Sequence, residues 1–320
     1  MSWKQSQISL IQVPSALGVW RHYYDDVAQA PAQLLAHPGA LRARLVEKGW
    51  KIYDAPPIRI PARPCPGNSL PPNKDEVYEV CSQVSKAVDD ALAHGDIPLV
   101  LGGDHSIAIG SVAGVSAWAA AEEKSVGVIW MDAHPDMNTP RTSPTQNIHG
   151  MPLACCVELA GEDQEAIGLL GRLAHLVEPK LKGRNVCLVG DRDVDLGSHG
   201  YRGEERIIAD AGVREIKITE NTDAADACGL MEAAISIVTR ETEGFHLSFD
   251  IDFVDPKFAP AAGTPFLNGA TVEATMAALE VVRESGKMLS MDLVEIHSGR
   301  RGADLTLGLA IDFLLHLFTR

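Results

Sequence analysis

Short, continuous apolar runs alternate with longer amphipathic stretches along most of this chain, and no other feature constrains its fold as much. The runs Ile8 to Val13, Pro98 to Leu101, Val126 to Met131, Asn185 to Val189, Glu215 to Ile218, Phe245 to Phe249 and Met288 to Val294 read as strands. Helical periodicity fills the intervals at Ala30 to Lys48, Asn73 to His94, Ala108 to Glu123, Glu162 to Leu181, Glu204 to Ala211, Ala224 to Arg240, Val272 to Ser285 and Leu305 to Phe318. Apolar strands separated by helices predict a parallel sheet covered on both faces. Pro56 to Pro72 is rich in proline and reads as a surface loop. No linker, repeat or low-complexity tract divides the 320 residues, so residues 1–320 are expected to form a single three-layer αβα domain around a mostly parallel central sheet.

The formal net charge of −15 argues against nucleic acid or an anionic membrane as a partner. It suits a cationic substrate, although an acidic surface also simply keeps a protein soluble. No run of eighteen apolar residues occurs, and Met1 to Ser9 is polar, without the apolar core of a signal peptide; a cytoplasmic protein is expected. The six cysteines are scattered, none in a C-x-x-C pair, and read as buried free thiols.

In parallel sheets a site lies beyond the carboxyl ends of the strands. Three polar clusters stand there. Gly102-Gly103-Asp104-His105-Ser106 follows Pro98 to Leu101; its glycines allow a tight turn, and His105, taken alone, is more often a structural residue than a ligand. Asp132-Ala133-His134-Pro135-Asp136 follows Val126 to Met131. In extended chain its three polar residues would share a side, which is costly without a neutralising cation; the bland alternative is a polar turn. Asp250-Ile251-Asp252 follows Phe245 to Phe249, and alone such a pair is weak evidence. Together the clusters supply His105, Asp132, His134, Asp136, Asp250 and Asp252. Four carboxylates match two divalent cations, and imidazole with carboxylate suits an ion such as Mn²⁺. Two such ions would lower the pKa of a bridging water, so metal-assisted hydrolysis is expected.

From about Pro98 to Glu295 these clusters, in this order, resemble the metal signatures of the arginase (ureohydrolase) family. The resemblance implies a three-layer fold with about eight strands and two Mn²⁺ ions, with Ni²⁺ or Co²⁺ as alternatives. It also implies a homo-oligomer, trimeric or hexameric. Asp132 and Asp250 would bridge both ions, with His105 and Asp136 completing one site and His134 and Asp252 the other. The implied reaction is attack of a metal-bridging hydroxide on a small cationic guanidino substrate. L-arginine, yielding L-ornithine and urea, is the leading substrate. Agmatine, a guanidino acid or a formimino compound is the alternative, and a catalytically silent metal-binding protein is a third reading.

Flanking residues resemble the arginase branch. Asn138, Ser143 and Asn147 fall where the substrate α-carboxylate is held, with serine at 143 for the usual threonine and Thr145 for the usual serine. His149 matches the histidine that shuttles a proton to the leaving amine. Asp195 matches a contact to the α-ammonium, and the family's glutamate just downstream is read as Ser198. Thr264 would line the guanidinium pocket, where Glu295 would pair with the cation. Three segments depart from the pattern: Gly18 to Asp26, with Trp20, Tyr23 and Tyr24; Ile296-His297-Ser298; and Phe266-Leu267-Asn268-Gly269. The aromatics of the first would narrow the mouth, stack on a flat substrate group, or pack at a subunit contact.

Overall fold

A computed structural model describes residues 5–20, 22–63, 71–192 and 202–320, without the side chains of 22, 23 and 202. Eight strands form one sheet: β1 (Gln7–Val13), β2 (Lys51–Asp54), β3 (Ile97–Gly102), β4 (Val126–Met131), β5 (Val186–Val189), β6 (Arg214–Ile216), β7 (Gly244–Asp250) and β8 (Met288–Val294). Their order is β2-β1-β3-β8-β7-β4-β5-β6, and every pairing is parallel. β2 was not foreseen. It is a short edge strand with mostly exposed side chains, so it carries no apolar run.

Side-chain alternation along the strands sorts the core into two layers. Ile8, Leu10, Leu99, Ile129, Met131, Leu247, Met291 and Leu293 face one set of helices: α1 (Ala30–Ala36), α2 (Leu41–Glu47), α8 (Ala224–Val238), α9 (Val272–Ser285) and α10 (Ala303–Leu317). Ile11, Val13, Val100, Val128, Trp130 and Leu188 face α3 (Lys74–Ala93), α4 (Ala108–Ala121), α5 (Pro152–Cys156) and α7 (Arg202–Ala211). A further short helix, α6 (Gly161–Gly168), precedes β5. Among the described residues no helix is long and apolar enough to cross a membrane.

Two expected helices are shorter than their periodicity. Ala30 to Lys48 breaks at His37, which is extended (ψ 142°) because Pro38 follows it. The stretch from Glu162 stops at Gly168 and continues only as the 3₁₀ turn Gly171–His175, because Gly171 takes a left-handed φ of 63°.

The topology decides where a site can form. β3 and β4 are consecutive strands joined through α4, yet β8 and β7 lie between them in the sheet. The four central strands β3, β8, β7 and β4 therefore bring their carboxyl ends side by side, where a crevice opens.

Candidate metal centre and substrate cavity

The three clusters converge at these strand ends. The turn after β3 passes so close to the 13–15 segment that a Cβ on Gly103 would lie 1.7 Å from the Ser15 carbonyl oxygen; only glycine fits. It delivers His105, which is 1% exposed. His105 Nδ1 stands 3.0 Å from Asp132 Oδ2, 3.0 Å from Asp136 Oδ2 and 3.4 Å from Asp250 Oδ2. His134 Nδ1 stands 3.1 Å from Asp252 Oδ2 and 3.4 Å from Asp132 Oδ1. His105, Asp132 and Asp136 form one group with metal-ligand spacing, and Asp132, His134 and Asp252 form another. Asp132 belongs to both, one oxygen toward each. Asp250 turns Oδ2 toward the first group and accepts the Asp252 N–H on Oδ1 at 2.8 Å.

The convergence does not come from extended chain, as the spacing suggested. β4 ends at Met131, and Asp136 returns to the cluster through a left-handed φ of 52°. Likewise β7 ends at Asp250, whose side chain caps the 3₁₀ turn Ile251–Phe253 that carries Asp252. A left-handed non-glycine residue costs of order 1–2 kcal/mol, and Glu295 (φ 65°) shares that conformation.

A file of buried polar groups behind His105 fixes its ring. The Ser248 hydroxyl donates to Asp292 Oδ1 at 2.7 Å, so its oxygen accepts from His105 Nε2 at 2.8 Å. His246 continues the file, its ring nitrogens on Asp292 Oδ2 (3.0 Å) and Ser290 Oγ (2.8 Å). With its proton on Nε2, neutral His105 presents a bare lone pair on Nδ1, and that atom is buried with no hydrogen-bond partner. A lone pair facing three carboxylate oxygens calls for a cation. The carboxylates say the same. Burial, then the Asp132 charge, pushes Asp136 up to about 7, and burial with Asp252 and Asp132 pushes Asp250 well up. Burial lowers the His105 pKa, but without a cation the three aspartates outweigh burial and raise it well above the ordinary imidazole value, so a proton competes with a metal ion for the Nδ1 lone pair. The donor set therefore fits divalent cations bound by imidazole and carboxylate.

Removing such cations should loosen the whole fold, because ions that bind only the native state stabilise it by mass action. At a thousandfold excess over Kd each ion adds about 4 kcal/mol, or roughly 6 °C in Tm for a chain of this size. Dialysis against EDTA should lower Tm by that order, and readded Mn²⁺ should restore it; an unchanged Tm would speak against a metal centre.

The cluster floors a cavity of about 370 Å³, whose walls include Asn138, Ser143, Thr145, Asn147, His149, Glu204, Thr264, Phe266 and Glu295. Glu295, 1% exposed, follows β8 directly and accepts the His105 N–H on Oε1 at 2.7 Å. His149 Nδ1 lies 3.0 Å from the same oxygen. Burial alone would lower the His149 pKa; the Glu295 charge, helped by Asp104 and Asp136, raises it instead. Thr264 donates to Asp252 Oδ2 at 3.3 Å.

Across the cavity, Asn138 accepts the Thr142 hydroxyl at 3.0 Å and Ser143 Oγ accepts the Gln146 N–H at 3.1 Å. Asn147 Oδ1 is buried without a partner. Asp195 and Ser198 lie outside the described residues. The wall nevertheless carries a carboxylate that sequence reasoning missed: Glu204, 3% exposed, accepting the Met137 N–H at 3.0 Å. In the sequence it is one of two acids opening an amphipathic helix, the usual place for solvated charge. The signal that sets it apart is its spacing of three and four from Ile207 and Ile208, both buried, which puts it on the inward face.

The departures fall around this cavity. Phe266 meets His134 edge-on at 6.0 Å, and Arg192 pins its loop through the carbonyls of Phe266 (2.9 Å), Leu267 (3.1 Å) and Asp252 (2.6 Å). Trp20 is half-buried. Tyr24 is 2% exposed and sits deep in the site with its hydroxyl on Glu295, so it neither stacks at the mouth nor faces another subunit. His297, 1% exposed, is not among the cavity walls; it packs behind Tyr24.

A doubly covered parallel sheet with a histidine–carboxylate cluster at its central strand ends defines a class of metal-dependent hydrolases. The sequence model of the arginase family matches residues 6–319. The chain is 34% identical over 313 residues to the arginase of Brevibacillus brevis, covering 97% of each. It superposes on the arginase of Bacillus caldovelox with a TM-score of 0.81 at 31% identity over 99% of each chain. With the arginase of Entamoeba histolytica, solved with L-ornithine, the TM-score is 0.82 at 28% identity over 100% of each. The chain belongs to the arginase family and is a metal-dependent hydrolase of C–N bonds in linear amidines.

Proposed function

We propose that the chain hydrolyses L-arginine to L-ornithine and urea at a two-metal centre. The observation that carries this reading is the two-ended cavity. One end holds the buried carboxylate of Glu295 beside the metal cluster, and the other holds Asn138, Ser143, Asn147 and Glu204. His105, Asp132, Asp136 and Asp250 would hold one ion and Asp132, Asp250, His134 and Asp252 the other, with Mn²⁺ the favoured metal. Bound there, the pair would supply Lewis acidity and a nucleophilic water near neutral pH.

Everything else falls to side chains. A guanidinium leaving water needs a paired anion, and Glu295 is the carboxylate that meets it. His149, whose pKa the Glu295 charge raises, is placed to pass a proton to the leaving amine. At the far end Asn147 presents an unpartnered amide oxygen, suited to an ammonium; a carboxylate there requires the amide to turn over. Glu204 gives the α-amino end the acceptor that Ser198 would have removed.

The test is urea release by the Mn²⁺-loaded protein from L-arginine, agmatine, 4-guanidinobutyrate and guanidine at equal concentration. Polar groups left unpaired in the cavity cost about 1–3 kcal/mol each, so L-arginine should exceed agmatine by at least about tenfold in kcat/KM. An inert L-arginine beside another active compound would move the assignment to that compound, and no urea from any of them would leave a metal-binding protein only.

A further inference from the structure

Two segments that depart from the family pattern, Gly18 to Asp26 and Ile296 to Ser298, meet at one side chain. Tyr24 lies on the 3₁₀ turn His22–Gln29. Its ring stands edge-on to His297 (centroids 4.5 Å, planes at 87°) and to His149 (5.2 Å, 71°). Its hydroxyl donates to Glu295 Oε2 at 2.5 Å. The fit is closed from the third side by Gly263, where a Cβ would come within 1.8 Å of the Tyr24 oxygen and 2.2 Å of Glu295 Oε2. Glycine at 263 is thus what lets the phenol reach the carboxylate.

The consequence follows from counting acceptor positions. A carboxylate offers about four. Oε1 of Glu295 receives the His105 N–H and faces His149 Nδ1, and Oε2 receives Tyr24, so one position remains, on Oε2. A guanidinium presents parallel N–H groups that ordinarily fork onto both oxygens of one carboxylate. That two-point fork does not fit a Glu295 so occupied. Next to the remaining position lies the phenolic oxygen, which accepts as well as donates and lines the same cavity.

We propose that Tyr24 is a specificity residue that touches the substrate: the guanidinium docks on a mixed pair, Glu295 Oε2 and Tyr24 Oη, in place of the carboxylate alone. The proposal rests on the ureohydrolase reading above and names the second acceptor of that site. The phenol keeps its proton for this purpose, since burial and the adjoining Glu295 charge raise its pKa well above the ordinary phenol value. The pair accepts a terminal guanidinium edge with two free N–H groups and gives nothing to the amine end of the substrate.

The test uses the Mn²⁺-loaded protein with L-arginine and with L-ornithine, the product that lacks the guanidinium. If wild type prefers another guanidino compound, that compound and its own amine product take their places, so a wrong substrate does not hide the result. Tyr24→Phe keeps the ring against His149 and His297 and removes only the hydroxyl. It should raise KM about tenfold and change kcat much less, with metal content and Tm unchanged. L-ornithine affinity, measured by calorimetric titration, should stay at the wild-type value. A KM within twofold of wild type overturns the proposal, and so does an equal weakening of L-ornithine, which would make Tyr24 a packing residue. Should Tyr24→Phe melt early or lose metal, 3,5-difluorotyrosine at position 24 keeps the shape while weakening the phenolic oxygen as an acceptor. It should raise KM in the same way, and an unchanged KM there equally sinks the idea.

Discussion

Replacing Asp132 with Ala should leave a folded chain that holds fewer than two metal ions and hydrolyses its substrate on the order of a thousandfold more slowly, since the centre supplies several kcal/mol of transition-state stabilisation. The size of the effect comes from position. Oδ2 of Asp132 lies 3.0 Å from His105 Nδ1 and Oδ1 lies 3.4 Å from His134 Nδ1, so one substitution takes a donor from each group. Asp136→Ala takes a donor from the first group only and should cost less metal. The local loss of structure is small: Trp130 Nε1 and the His134 backbone N–H each give up an acceptor, and a costly buried charge disappears with them. Metal analysis of the dialysed variant decides the matter; two tightly held ions in Asp132→Ala would show that Asp132 is not shared.

Glu295→Gln is expected to keep its metals and lose roughly a thousandfold in kcat/KM, because a buried cation deprived of its anion costs about 3–5 kcal/mol. The fold can absorb this change. The Gln oxygen can take the place of Oε1 before the His105 N–H and His149, and the amide nitrogen then faces Tyr24, whose hydroxyl turns to accept. The charge is removed, and with it the open acceptor position on Oε2. Steady-state kinetics with metal analysis check it, and near-wild-type turnover in Glu295→Gln would mean that the guanidinium binds elsewhere.

The layered fold and the gathering of histidines and carboxylates were legible because both are written in local patterns. Strands as apolar as Val126–Met131 have one reading between amphipathic helices, and His105, Asp132 and Asp250 each stand within a few residues of a strand end. The manner of convergence was not legible: Asp136 and Asp252 reach the cluster through a left-handed turn and a capped 3₁₀ turn, which residue spacing does not encode. Glu204 hid among solvated acids. Tyr24 was visible only as a departure, since its partner Glu295 is 271 residues away and nothing local to either announces the contact.

The sheet order also bears on how the chain comes together. β3 and β4 are made early, but the gap between them is filled only by β7 and β8, whose residues come more than a hundred positions later. Until then β3 and β4 each present an unpaired edge, the kind of surface through which unfinished chains stick to one another. The cluster cannot assemble in such an intermediate, since Asp250 and Asp252 arrive with β7. An ion held by all the residues of the cluster would thus be captured late in folding. An ion bound this late brakes unfolding more than it hastens folding, so its benefit to the chain is persistence once made.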